Sequence, residues 1–512
     1  MIPVLASVLA QVGDVVPIAT PEVEWSAILP LVILAAGAIV LLTLGSLVPS
    51  FDQPGVPAAA TVAIALASII AAVPVWQRVQ DPDRGPISAV GGAIGIDGFT
   101  VFVTVLIALA VILGALLLDD YLRREDLDGV EWYVLVLLAG VGAVIMGSAN
   151  DLIVVFLGLE ALSIAVYVLV AMHRTRVESQ EAGFKYFITG AFSSAFFLYG
   201  IALVYGATGS TNLVAIADRL ATTLALDDAL LLVGMGLLLV GFAFKISAVP
   251  FQAWTPDAYQ GAPTPITAYM AGAVKVGAFA AIFRVFYLGL GQYAVDWQPI
   301  VYALAAVTMV VGSFLAVVQT DVKRMLAYSS IIHGGFILIG VQAATEAGVQ
   351  ASLFYLATYV FVVAGSFGVV TLVAGPGDAA TSLEDFRGLS ARRPVLALVF
   401  TLFLLAQAGV PLTSGFFAKF YVIAAAVSVS SYWLALVAML ASVVAAALYL
   451  RIIVAMYLAD ADDTADRPRI RIPVTAGIAL AAAVVVTLGA GVLPGLLTEV
   501  VGDAVPVLVA QP

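Results

Sequence analysis

The sequence predicts an all-α polytopic membrane protein of about 14 transmembrane helices, and three observations predict it. Of its 512 residues, 63% are apolar and only 11% charged, whereas soluble domains run near half apolar and a quarter charged. The apolar residues are gathered into stretches of the roughly 20 residues that cross a bilayer core. The basic residues fall between those stretches, and mostly in alternate gaps.

Taken in order, the candidate spans are 25–48, 57–78, 98–118, 130–148, 150–172, 184–207, 228–260, 265–289, 298–318, 326–345, 350–374, 395–427, 430–458 and 472–500. An earlier apolar stretch at 2–12 is short and has no basic flank, so it is read as neither a signal peptide nor a span. With the N-terminus outside, the odd-numbered loops are cytoplasmic. They carry Arg123, Arg124, Arg174, Arg176, Lys323, Arg324, Arg387, Arg392, Arg393, Arg467, Arg469 and Arg471, twelve basic residues. The even-numbered loops carry three, Arg78, Arg84 and Arg219. That bias follows the positive-inside rule and places both termini outside. It also supports the count, because one missed span would scramble the alternation after it.

The seventh and twelfth segments cover 33 residues each, too many for one crossing. Each contains a proline, Pro250 and Pro411, which removes a backbone donor and clashes with the preceding turn. Both helices are therefore expected to break at membrane depth, where only protein or trapped water can satisfy the freed backbone groups. Segments five apart cross in opposite directions. The layout predicts two inverted five-helix repeats, helices 4–8 in 121–290 and helices 9–13 in 291–459. Three helices precede them in 1–120, and a last helix and tail follow in 460–512. Paired interrupted helices point to an ion or substrate path at the midplane.

Five residues are charged or titratable where the bilayer should be: Glu160, Lys245, Lys275, His333 and Lys419. An ionised side chain at a helix centre costs roughly 2.5–3.5 kcal/mol on insertion scales. These groups belong in the bundle interior, paired or hydrated. Two readings are open for Glu160 and Lys245, a structural salt bridge or a pair of titrating relay groups. A buried lysine changes its protonation readily as neighbouring charges change, which suits a proton carrier. Sodium coordination fits less well, because a hard cation wants several oxygen ligands. His333 is equally compatible with a hydrogen-bonded structural role. Glycines such as Gly140, Gly142, Gly234 and Gly236 are expected to be helix-packing contacts.

Other chemistry is excluded. The chain has no cysteine, so it offers no disulfide, thiolate metal site or iron–sulfur cluster. A net charge of −12 excludes a nucleic-acid binder. No glycine motif sits in a strand–helix context, so no nucleotide loop is suggested.

The run from Lys245 through Pro250, Trp254, Asp257 and Pro263 to Ala268 resembles the signature of the antiporter-like membrane subunits of respiratory complex I, the proton-pumping NADH–quinone oxidoreductase. Further matching stretches are Lys185–Ala195, Tyr205–Thr211, Lys323–His333, Asp385–Leu389, and Ala408–Pro411 with Lys419–Tyr421. Within the family, the Tyr259–Pro265 loop form, the absence of residues for a lateral helix, and a lysine at 419 all resemble the N-type subunit. Gln252 and Gln260 depart from the histidine and glutamate common there, so no acid or imidazole role is carried to that loop. The resemblance implies that Glu160 and Lys245 are the paired glutamate and lysine, Lys275 the connecting lysine and Lys419 the terminal one. It implies no cofactor in this chain, with flavin and iron–sulfur clusters in partner subunits. It further implies neighbouring antiporter-like subunits as partners, quinone and NADH reached through the complex, and a bacterial plasma membrane. The competing expectations are a subunit of a multi-subunit sodium/proton antiporter and a passive scaffold.

Overall fold

The structure is a computed structural model that describes residues 23–127, 129–222, 228–459 and 470–510. The apolar stretch at 2–12 and the loop arginines Arg467 and Arg469 lie outside them. The helices are α1 (Trp25–Leu47), α2 (Val56–Val79), α3 (Gly98–Glu125), α4 (Glu131–Ser148), α5 (Leu152–Ala171) and α6 (Val177–Thr208). A short α7 (Leu213–Thr222) is followed by α8 (Asp228–Lys245), α9 (Trp254–Gly261), α10 (Thr264–Ile282), α11 (Ala294–Val317), α12 (Val322–Ala343) and α13 (Glu346–Ala374). The chain continues with α14 (Pro394–Ala408), α15 (Ser414–Ser428), α16 (Tyr432–Leu458), α17 (Val474–Val492) and α18 (Pro494–Gly502). Twelve helices among the described residues are long and apolar enough to cross a membrane, and the fold is that of a multi-pass membrane protein.

The apolar stretches become helices because a helix satisfies its own backbone groups, the only economical solution in lipid. Four of their starts carry a side-chain cap. Asp97, Asp151, Asp321 and Thr345 each accept a backbone N–H from the first turn of the helix that follows. Two details differ from the sequence reading. The last predicted segment ends at Val492, and Pro494 begins a separate short helix, since proline suits a first turn but not an interior. The loop after α2 also holds a two-stranded hairpin, Ile87–Ala89 against Ile94–Ile96, turned through positive φ at Val90, Gly91 and Gly92.

Helices α10, α12 and α13 form the buried centre. Around them, α1, α2, α6, α11, α16 and α17 are only a third buried and turn apolar side chains such as Phe192, Phe314 and Val443 outward. Close packing needs small residues at several crossings. A β-carbon at Gly142 would lie 2.4 Å from the Leu162 nitrogen, and one at Gly234 3.0 Å from Val204 Cγ2. Gly236, expected to be a packing contact too, instead faces open space.

The loops sort onto two faces. On one, Glu125, His173, Arg176, Lys323 and Asp378 meet, and Arg393 reaches the Ile470 carbonyl. On the other, Gln80, Asn150 and Arg284 reach the carbonyls of Asp503, Val509 and Val507 near the chain's end. Glu24 joins that second face through Arg78, at 2.9 Å. One small motif occurs on both. Leu152 N–H donates to Thr211 O while the Thr211 hydroxyl donates to Asp151; Val322 N–H donates to Thr381 O while the Thr381 hydroxyl donates to Asp321. Both members are shifted by 170 residues, from 151 to 321 and from 211 to 381.

Both long segments are interrupted, but the prolines are not where the helices stop. Helix α8 ends at Lys245, where Ser247 turns left-handed (φ 65°) and Ala248 N–H returns to Ala243 O. Helix α14 ends at Ala408, where Gly409 turns left-handed (φ 87°) and Val410 N–H returns to Leu405 O. Each is a left-handed C-terminal cap. Pro250 and Pro411 follow inside the breaks and keep the helices from resuming.

Candidate polar relay site

The two breaks place two lysines at carboxyl ends of half-helices, where unpaired carbonyls carry partial negative charge. Lys245 is the last residue of α8. Lys419, in the second turn of α15, reaches back across the other break and donates to the Ala408 carbonyl at 2.9 Å. An ammonium can thus be held by backbone dipoles without a carboxylate partner.

Lys245, Lys275, His333 and Lys419 are all at most 6% exposed. Lys245 donates to Ser163 Oγ at 2.6 Å and lies over the rings of Tyr167 and Tyr186, 5.4 and 5.5 Å from their centroids. Glu160, one turn before Ser163 on α5, instead accepts from Ser194. Of the two readings open for Glu160 and Lys245, the salt bridge is not formed: Lys245 is held by Ser163 and Glu160 by Ser194.

Lys275, expected to lie in the bundle interior paired or hydrated, is 2% exposed. Its partners lie on α12: it donates to the Ser330 carbonyl and, at 2.7 Å, to the Ser330 hydroxyl. Tyr359 donates to that hydroxyl at 2.9 Å, and Tyr259 is 3.3 Å from it. The ammonium also sits over the Tyr359 ring. Ser330 is the residue 170 positions after Glu160, the same offset as between the two capping motifs. A β-carbon at Gly334 would lie 3.0 Å from Ile246 O and 3.7 Å from Lys275 Nζ. The missing side chain lets the first break approach Lys275.

One turn along α12, His333 bonds Tyr355 OH through Nδ1 at 2.5 Å and Tyr449 OH through Nε2 at 3.3 Å. Tyr449 is 2.7 Å from Ser329 Oγ, Ser329 donates to Gln407 at 2.8 Å, and Gln407 donates to Ser366 at 2.7 Å. Gln407 precedes Ala408, which receives Lys419. The structure thus brings Lys275, His333 and Lys419 into one polar band along α12, with Glu160 and Lys245 at its near end. None of Lys245, Lys275 and Lys419 has a carboxylate oxygen within 4 Å among the described residues. A buried ammonium held by neutral oxygens can lose and regain its proton as nearby charge changes, and hydroxyl and imidazole groups can pass that proton on.

Sequence reasoning missed the residues between the charges: Ser163, Ser330, Tyr259, Tyr359, Tyr355, Tyr449 and Gln407. Serine at i, i+1 on α12, beside a histidine three further on, was the available signal. It also missed a buried ionic knot at the basic face. Asp378 accepts from Arg176 at 3.0 Å, Lys323 at 3.3 Å, the Thr264 N–H at 3.1 Å and Tyr121 OH at 3.4 Å. Burial works to raise its carboxyl pKa, but Lys323 and Arg176 outweigh that and hold it below the ordinary value. A second knot on the other face buries Arg284 against Asp97 at 2.6 Å.

Residues 149–445 match the family described as NADH:quinone oxidoreductase/Mrp antiporter, TM. The chain is 40% identical over 394 residues to an NADH-quinone oxidoreductase subunit N from Trichlorobacter lovleyi, covering 77% of this chain and 79% of that one. Among solved structures it resembles a chain of respiratory complex I from Thermus thermophilus, with TM-score 0.78, 33% identity, and 93% and 99% of the two chains covered. A chain of the Mrp complex from Dietzia sp. shares the fold, with TM-score 0.80 at 23% identity over 93% of this chain and 97% of that one.

Proposed function

This chain belongs to the NADH:quinone oxidoreductase/Mrp antiporter family of membrane subunits, and we propose that it moves protons across the membrane as the N-type subunit of an NADH–quinone oxidoreductase. The observation that carries this is the polar band from Lys245 and Ser163, past Lys275, Ser330 and His333, to Gln407 and Lys419. It runs from one helix break to the other, and among the described residues its lysines have no carboxylate oxygen within 4 Å. Glu160, Lys245, Lys275, His333 and Lys419 are the proton-carrying groups in this reading. Charge arriving at Glu160 alters the protonation of Lys245, and the disturbance passes through Lys275 and His333 to Lys419. No redox step takes place in this chain; flavin, iron–sulfur clusters and quinone chemistry reside in partner subunits, which sit beside it in the complex.

The same reading takes the chain across a bacterial plasma membrane 14 times, with both termini outside and the basic face inside. Its inverted repeats are 121–290 and 291–459, flanked by 1–120 and 460–512, and the capping motif repeated at 170 residues supports them. A sodium/proton antiporter subunit is the second reading, favoured by the Mrp fold likeness. The relay argues for protons, since its ionisable groups are mostly lysines and a hard cation wants oxygens.

The test is NADH-driven proton uptake into vesicles, normalised to electron transfer in the same preparation. Lys419→Ala is expected to impair uptake, while Lys419→Glu retains part of it because a carboxylate also titrates. Wild-type uptake by Lys419→Ala removes the residue from the path. Loss of sodium tolerance with intact NADH-linked uptake would instead favour the antiporter.

A further inference from the structure

On the basic face, a cavity of about 660 Å³ opens between the end of α3, the end of α13 and the segment leading into α17. Its charged lining is Arg123, Arg124, Arg392 and Arg471 with Asp120 and Asp385, and Arg123 is itself paired with Asp119 at 2.9 Å. Leu372, Val373 and Ile470 supply apolar wall. Arg124 is only partly satisfied. Its Nε reaches Glu125 at 3.1 Å and its Nη1 donates to Thr371 O at 3.0 Å, but its Nη2 is buried with no acceptor. A buried donor without an acceptor is costly, so an oxygen-rich anion in this cavity would complete the site.

The surroundings distinguish the source of that anion. Arg393 donates to the Ile470 carbonyl, which holds the segment before α17 beside the start of α14. Both helices leave the basic face there and carry apolar side chains outward: Val395 and Leu398 on α14, Val474 on α17, and Ile472 just before it. These outward faces lie in the bilayer, so the cavity opens beside lipid, whereas a soluble anion would use the arginines alone. A phospholipid uses both, its phosphate among the guanidinium groups and its chains along the apolar faces. Basic pockets between transmembrane helices suit such headgroups.

We propose that this cavity binds the headgroup of an anionic phospholipid, held by Arg124 and Arg471 with Arg123 and Arg392 around it. The site is distinct from the relay and rests only on the chain's multi-pass fold.

The test uses the purified, delipidated complex containing this chain, with phosphatidylglycerol, phosphatidylcholine and inorganic phosphate as probes and bound lipid read by native mass spectrometry. Phosphatidylglycerol is expected to be retained in preference to phosphatidylcholine. Arg471→Gln, at an exposed position where folding is not at stake, should weaken it about fivefold, as expected for one basic residue near an anionic lipid. Arg124→Gln should weaken it at least as much, and Arg124→Lys should restore part of the loss. Equal retention of phosphatidylcholine, or unchanged binding in Arg471→Gln, overturns the proposal. Displacement of the lipid by millimolar inorganic phosphate overturns the lipid assignment and makes this a soluble-anion site.

Discussion

Lys275 shows how a lysine can be buried without an acid beside it. Its ammonium is met by a carbonyl, a hydroxyl and a ring face, all neutral. Neutral partners hold the charge without fixing it, and this separates a relay residue from a structural ion pair. If the proton must leave, arginine is a poor substitute, because its guanidinium stays protonated. Lys275→Arg is therefore expected to assemble and to lose most NADH-driven proton uptake, and Lys275→Ala to lose it altogether. Full uptake by the arginine variant would mean that a fixed positive charge is enough. Glu160 makes the complementary case. It accepts from Ser194 and does not pair with Lys245, so Glu160→Gln breaks no salt bridge. Assembly on a native gel should be unchanged while uptake falls; a missing complex would mean that its charge is structural.

At the scale of the element, the two broken helices are the decisive features. Each ends in a left-handed cap with a lysine beside it: Lys245 closes the first half-helix and donates to Ser163, and Lys419 donates to the Ala408 carbonyl of the second. Gly409 is the more demanding cap. Its φ is 87°, and a β-carbon there would lie 2.9 Å from Lys419 Cδ. Gly409→Ala is thus strained twice, by the backbone and by the lysine stem. It is expected to destabilise the protein by about 1 kcal/mol or more. It should also reduce proton uptake, because the same contact displaces Lys419 from Ala408. Thermal unfolding together with uptake checks this; an unchanged midpoint and unchanged uptake would show that the break tolerates a side chain. Gly236 faces open space, and alanine there should leave both measurements unaltered.

At the scale of the molecule, Asp378 ties the loop after α13 to α3, to the segment before α6, to α10 and to α12. One carboxylate therefore clasps parts of both halves. Removing the charge from a buried pair leaves its partners uncompensated, which costs about 3–5 kcal/mol. Asp378→Asn is expected to lower stability by that order, with Arg176 and Lys323 left facing an amide. The folded-state pKa is lowered, so the stabilisation is complete above the ordinary carboxyl value of 3.8 and is lost as pH falls through the lower folded value. The gap in unfolding midpoint between wild type and Asp378→Asn should be widest near neutrality and close below about pH 4. A constant gap across that range would assign the effect to packing and not to charge.

The sequence by itself determined the membrane class, the placement of the apolar segments, the two interruptions and the identity of the charges that do not belong in lipid. It could do so because hydrophobic length, loop charge and the cost of a buried ion are properties of single segments. It placed the breaks by their prolines, whereas the helices actually stop earlier, at Lys245 and Ala408, since the left-handed turns at Ser247 and Gly409 end them before a proline is reached. Only the tertiary structure decided which neutral groups stand between the charges. Glu160 meets Ser194 rather than Lys245, Lys275 meets Ser330, and Asp378 collects four elements, because each contact joins residues tens to hundreds of positions apart. Serine, tyrosine and glutamine can lie in a bilayer-spanning helix at small cost, so nothing in their local sequence marks them. Their role comes from what the packing of α10, α12 and α13 sets beside them.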